Sequence, residues 1–180
     1  MVVLDPAAGD GEFINSVPAK EKWAIDKNKD LKKMFPVNVK AITGDSLKIK
    51  LPDDYFDAVF VSNFLEHLSS PYTVSLLLEK AYCSLKDGGR IVIIGPNFKY
   101  AYKDYFDFAD HCLPLTEQSV EEHCYGAGFN ILKTYPKFLP LSLKTVFPPN
   151  KILVKIYLKA PFLWRLFGKQ FLVLAEKRLK

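Results

Sequence analysis

Residues Leu4–Phe13 read LDPAAGDGEF, behind the apolar residues Val2 and Val3. An apolar run that ends at an acidic residue and a glycine-rich turn reads as a buried parallel strand feeding a helix. Glycines permit the sharp turn, and the helix then presents free backbone amides in the crevice at the sheet's carboxyl edge. A ligand carrying a carboxylate and an adenosine can lie against such donors with no side chain in its way. A pyrophosphate dinucleotide is disfavoured, because Ile14 stands where the dinucleotide fingerprint needs a third glycine, and no P-loop lysine follows.

Three further elements follow in order. Asp26, 21 residues after Asp5, ends the apolar stretch Trp23–Asp26. There a carboxylate can accept from both ribose hydroxyls, or simply cap a helix. Gly44-Asp45-Ser46 follows the strand expected over Val37–Thr43 and sets another acceptor at the same edge, suited to an adenine amino group or to an ordinary loop. Asn63-Phe64-Leu65-Glu66-His67-Leu68 follows Phe56–Ser62 (FDAVFVS) and places polar groups just beyond a buried strand.

The spacing of Val74, Leu77, Leu78, Ala81, Tyr82 and Leu85 predicts a helix over Tyr72–Leu85 with one apolar face. Arg90–Ile94 (RIVII) reads as a central strand after Gly88-Gly89. Thr116–Ala127 reads as a helix capped by Thr116, Phe129–Tyr135 as a strand, and Gln170–Ala175 as the last strand. The alternation predicts an α/β fold, a parallel sheet with helices on both sides, in one domain over 1–180. A proline-punctuated basic and apolar insertion occupies 136–168.

Composition favours neither disorder nor a membrane bundle. No CxxC pair joins Cys83, Cys112 and Cys124, and no secretory signal precedes them, so reduced thiols in the cytoplasm are expected.

The ordered motifs resemble the class I S-adenosylmethionine-dependent methyltransferases of types 11 and 12 over nearly the whole chain. The segments Leu85-Lys86-Asp87-Gly88-Gly89-Arg90 and Ala127-Gly128-Phe129 are similar to the family's turns into its fifth and sixth strands. The resemblance implies a Rossmann-like, doubly wound, mostly parallel sheet with an antiparallel last strand, and S-adenosyl-L-methionine as cofactor. It implies cofactor contacts from Asp5, Ala7, Gly9, Gly11, Phe13, Asp26, Lys27, Asp45, Ser46, Asn63 and Leu65. Ala7 stands where the family has its first glycine, which should weaken affinity without abolishing it if Ala7 keeps a negative φ. The family also places a helix before the first strand, whereas here that strand begins at Val2. The chain is therefore expected to be N-terminally short, with apolar surface exposed on one sheet face.

An acceptor pocket is expected from 63–71, 96–114 and 136–168, with His67 and His111 as candidate catalytic bases and Tyr100, Tyr102, Tyr105, Phe106 and Phe108 as its wall. Glu66, His67, Asp110 and His111 match no recognised ligand spacing, so no metal site is expected. Residues 1–122 carry 14 basic and 19 acidic side chains, while 123–180 carry 11 and 1. The basic end, with Lys151, Lys155 and Lys159 on one helical face, can lie on an anionic inner-membrane surface and reach a lipid-linked acceptor, or can be a lid with solvated lysines. A small molecule or glycan is the other acceptor expected. Nucleic acid is not, since no Asn-Pro-Pro-Tyr motif follows the fourth strand. The alternative to an enzyme is a degenerate binding module of the same fold.

Overall fold

The computed structural model describes residues 1–30, 33, 35–141 and 151–179. Residues 142–150 of the expected insertion lie outside them. The strands are β1 (Val2–Asp5), β2 (Glu21–Asp26), β3 (Val39–Thr43), β4 (Phe56–Ser62), β5 (Leu85–Pro96), β6 (Phe129–Tyr135) and β7 (Gln170–Lys177). They form one seven-stranded sheet in the order β3-β2-β1-β4-β5-β7-β6. Strands β1 to β5 pair in parallel, while β7 runs antiparallel to both β5 and β6. The chain moves outward from β1 through β2 to β3, then returns to start β4 on the other side of β1. That reversal opens the crevice in which ligands of doubly wound sheets bind.

The helices are α1 (Glu12–Ser16), α2 (Pro71–Ser84), α3 (Phe98–Ala101), α4 (Glu117–Gly126), α5 (Lys151–Lys159) and α6 (Pro161–Phe167). Helix α2 starts where Pro71 supplies a preset φ and Ser70 caps the end. The Thr73 amide donates to Ser70 Oγ at 3.3 Å, and the Ser70 amide donates to Thr73 Oγ1 at 3.2 Å. Thr116 and Ser119 close the same reciprocal box on α4. The apolar face of α2 buries Val74, Leu77, Leu78 and Ala81 with Val59, Val61, Ile91 and Ile93 of the sheet. At ~25 cal/mol per Å² of apolar surface, this layer is the main stabilising term.

The opposite sheet face is less covered. Val3, Ile14, Ala24, Phe35 and Val39 form a smaller core there. Farther along the same face Phe60, Val92, Leu172 and Leu174 are only half-buried, and Phe13 stacks on Phe60 at 3.7 Å.

Several strand boundaries differ from those expected, β2 among them, which begins at Glu21 rather than Trp23. Strand β5 begins at Leu85 rather than Arg90: Leu85 pairs with Phe56, the register then shifts, and pairing resumes at Ala58 with Arg90. Gly88 takes φ 72° in that irregularity, and a Cβ on Gly89 would meet Lys86 O at 2.8 Å, so the glycines shape a bulge inside the strand rather than ending a turn before it. Strand β3 begins at Val39 rather than Val37, which is fully exposed. Strand β7 runs on to Lys177, whose ammonium is 3% exposed and donates to Asp54 Oδ1 at 2.6 Å and Leu85 O at 2.7 Å. Within the insertion, α5 and α6 are the described elements, and among the described residues no helix is long and apolar enough to cross a membrane.

Candidate functional site

At the end of β1 the Asp5 carboxylate is 4% exposed, and its Oδ1 accepts from the Ala7 amide at 3.2 Å. Burial pushes its pKa up to about 7, opposed by that amide and reinforced by the nearby Asp26 charge. The turn that follows needs its glycines: Gly9 has φ 48° and Gly11 φ 76°, and a Cβ on Gly11 would lie 2.1 Å from the Phe35 ring. Ala7 keeps a negative φ, since Asp54 and Asn63 are the positive-φ non-glycine residues among those described. Alanine in a family glycine position is therefore unstrained.

Asp26, at the end of β2, anchors this loop. Its Oδ2 accepts from the Gly9 amide at 2.9 Å and its Oδ1 from the Asn28 amide at 2.9 Å, while its carbonyl accepts from the Gly44 amide at 2.8 Å. One residue thus fixes the glycine turn and the end of β3. A carboxylate has about four acceptor positions, so both oxygens keep a lone pair for a ligand.

Around this anchor lies a cleft of about 230 Å³ lined by Pro6, Ala7, Gly9, Asp26, Lys27, Gly44, Ser46, Asn63, Phe64 and His67. Ala7, Gly9, Asp26, Lys27, Ser46 and Asn63 were expected as cofactor contacts, and the structure brings them together. Asp5 sits beneath the turn, and Gly11 caps α1. Phe13 stacks on Phe60, and Leu65 is buried in the main core, so these two support the site from outside the cleft. The Asp45 carboxylate turns to Lys27 at 3.4 Å and to the Leu47 amide at 3.0 Å, leaving Gly44 and Ser46 to line the cleft. Partial burial opposes the Asp45 charge, yet the amide and Lys27 hold its pKa below the ordinary carboxylate value. Pro6 and Phe64 were not expected. Both lie inside the recognised motifs, but an apolar lining residue leaves no polar signal.

Asn63 takes φ 48° at the end of β4, and its amide donates to Ile94 O at 2.9 Å. Left-handed backbone in a non-glycine residue costs energy and gathers at ligand sites. The turn carries the chain into a short 3-10 helix, Leu65–His67. Its side chains open a second cleft of about 290 Å³, lined by Asn63, Glu66, His67, Pro96, Phe108, Asp110, His111 and Leu141. Asn63 and His67 line both clefts. The Glu66 carboxylate is 2% exposed, and burial pushes its pKa up to about 7, with the His67 ring acting the other way. His67 Nδ1 lies 3.0 Å from Asp110 O. His111 stacks on Phe108 at 4.9 Å and meets Tyr105 edge-on at 4.8 Å. Burial and the neighbouring His67 hold the His111 pKa below the ordinary histidine value. Of the expected aromatic wall, Phe108 reaches this cleft and Tyr105 backs His111. Tyr100 lines a third cleft, while Tyr102 and Phe106 are exposed.

That third cleft, about 470 Å³, lies beside α6 between Tyr100, Tyr135, Pro136, Lys137, Pro161, Trp164 and Arg165. Helix α5 is held to the domain by Tyr157, whose buried hydroxyl donates to Phe138 O at 2.7 Å. Trp164 Nε1 donates to Tyr157 O at 2.8 Å. Ile152, Ile156, Phe162 and Leu166 face outward, between 54% and 70% exposed.

A sequence model described as a methyltransferase domain matches residues 4–93, which run from β1 into β5 and include every residue lining the first cleft. No curated protein matches the chain significantly in sequence. Among solved structures, an S-adenosylmethionine-dependent methyltransferase from Archaeoglobus fulgidus is similar at 24% identity with a TM-score of 0.73, covering 98% of this chain and 86% of its own. A second, from Mesorhizobium loti, is similar at 17% identity with a TM-score of 0.69, covering 97% and 90%. The cyclase SpnF shares the fold at 17% identity with a TM-score of 0.67, covering 99% and 74%. The family match over half the chain lies on the strands and turns that build the first cleft, and the chain therefore belongs to the class I methyltransferases, with S-adenosylmethionine as its cofactor.

Proposed function

We propose that this chain transfers the methyl group of S-adenosylmethionine to an acceptor held beside His67 and His111. The observation that carries the reading is the junction of two clefts at Asn63 and His67, one with the family's cofactor residues and the other with two imidazoles. The residues of the first cleft suit the cofactor: the turn offers small or absent side chains at Ala7 and Gly9, and Asp26 keeps free lone pairs at the position suited to ribose. Bound S-adenosylmethionine supplies an electrophilic methyl group on a sulfonium. Its in-line displacement needs chiefly alignment of the acceptor, which the rigid turn at Asn63 favours. Donation from His67 Nδ1 to the Asp110 carbonyl leaves the lone pair on Nε2, and His111, with its depressed pKa, is neutral near pH 7. Either ring can take the acceptor's proton as the new bond to carbon forms.

The acceptor is a small molecule, a glycan or a lipid-linked compound. The lipid-linked alternative is supported by α5 and α6, which turn apolar side chains outward among Lys155, Lys159 and Arg165, as suits the cytoplasmic face of an anionic membrane. A binding module without catalysis is the second reading, favoured by Ala7 in the family's first glycine position. Isotope-labelled methyl from S-adenosylmethionine separates the two readings when the protein is offered polysaccharide and lipid extracts. Transfer into either fraction supports the enzyme, and it should fall about 100-fold in His111→Ala, a residue of the second cleft and not of the first, while cofactor affinity holds. Cofactor binding with no label transferred to any fraction would favour the binding module.

A further inference from the structure

Glu66, His67 and His111 each offer one ligand atom, and these lie within 4.8 Å of one another. Their spacing in sequence matches no recognised ligand pattern, because the ligands come from two loops, after β4 and β5. The carboxylate of Glu66 is buried, and the His67 ring is 3.9 Å from it, beyond the 2.7–2.9 Å of a charge-assisted hydrogen bond. A buried carboxylate is retained by protonation, by a hydrogen-bonded or charged partner, or by a metal ion, and a metal ion is a partner that these three side chains together can hold. His111 Nδ1 is buried with no hydrogen-bond partner. His67, by contrast, is oriented: its Nδ1 lies 3.0 Å from the Asp110 carbonyl and 3.4 Å from the Asp110 carboxylate, both acceptors, so Nδ1 donates and Nε2 is the nitrogen on the Glu66 side. A ring nitrogen held by a backbone carbonyl, with the other nitrogen free, is the usual outer support of a metal-bound histidine.

From these contacts we infer that Glu66, His67 and His111 bind a divalent first-row transition ion at the mouth of the acceptor cleft. Two imidazoles and one carboxylate form a borderline N/O ligand set of the kind that suits zinc with an open fourth position. Bonds of about 2.1 Å would bring the ligand atoms to roughly 3.4 Å apart, so side-chain rotations of about an ångström close the site. Asn63 and His67 line both clefts, so the open position faces the space assigned to the acceptor. An acceptor hydroxyl on the ion would lose its proton more readily, the ion replacing a free imidazole as the activating group. That role rests on the methyl-transfer reading, whereas binding of the ion does not.

The experiment titrates Zn²⁺ against a chromophoric chelator in Cys83→Ser/Cys112→Ser protein, which removes the exposed thiols as competing ligands. One equivalent should bind, and Glu66→Gln and His111→Ala should each weaken it at least about tenfold. Histidine NMR of the same unmutated site guards against misfolded variants. The chain has three histidines, and His123, bonded to Ser75 Oγ at 3.0 Å on α4, is the internal control. Zn²⁺ should shift His67 and His111 and leave His123 in place. Failure to bind an equivalent, equal binding by both variants, or equal shifts of all three rings would each overturn the site. S-adenosylmethionine binding is measured separately, so loss of the metal site and loss of the methyltransferase reading are distinguishable.

Discussion

Asp26 holds the glycine turn by one carboxylate oxygen and the Asn28 amide by the other, so its removal loosens the cleft as well as deleting a ligand contact. Asp26→Ala is expected to weaken S-adenosylmethionine binding at least about tenfold by calorimetry, more than Asp26→Asn, which keeps one acceptor oxygen. Asp5 behaves differently because burial raises its folded-state pKa to about 7, above the 3.8 of the free side chain. The folded state then holds a proton that the unfolded state has already lost. The stabilising contribution is full below about pH 4 and disappears as pH rises through 7. Asp5→Asn should therefore be more stable than the parent at pH 8, by on the order of 2 kcal/mol in urea unfolding, with the difference closing toward pH 4. A destabilised Asp5→Asn at pH 8 would mean that the carboxylate is ionised and paired. Asp5, Asp26 and the two glycines are legible in sequence because each answers a backbone demand. That Glu66, His67 and His111 share a pocket is legible from the two loops, but the closeness of their ligand atoms is not, because it depends on how those loops pack.

At the scale of elements, one central and one edge strand are legible to the residue. Phe56–Ser62 and Phe129–Tyr135 have the same bounds in sequence and structure, since β-branched and aromatic runs leave little ambiguity. The start of β5 was missed because a bulge carries Gly88 and Gly89 inside the strand, where glycine ordinarily signals a turn. Caps are local and were readable: Ser70→Ala should cost α2 about 1 kcal/mol in urea unfolding. Helices α5 and α6 carry the prediction about membranes. Liposomes rich in anionic lipid should sediment the protein at low salt, less so at high salt, and Ile156→Asp with Leu166→Asp should abolish it without changing cofactor affinity. Sedimentation unaffected by both substitutions would place the contact elsewhere.

For the molecule as a whole, the order of motifs carried the fold. Each acidic residue follows a strand, and parallel strands deliver their carboxyl ends to one edge, so four short motifs converge on one crevice. The charge of the chain is divided along its length, acidic through the cofactor half and basic beyond residue 123, so opposite ends suit different partners. The central claim is that the crevice is a working S-adenosylmethionine site despite Ala7. Isothermal calorimetry with S-adenosylmethionine and S-adenosylhomocysteine on folded protein tests it most directly. The account predicts one site per chain for both compounds, weakened by Asp26→Ala; absence of heat with either compound on well-folded protein would contradict it.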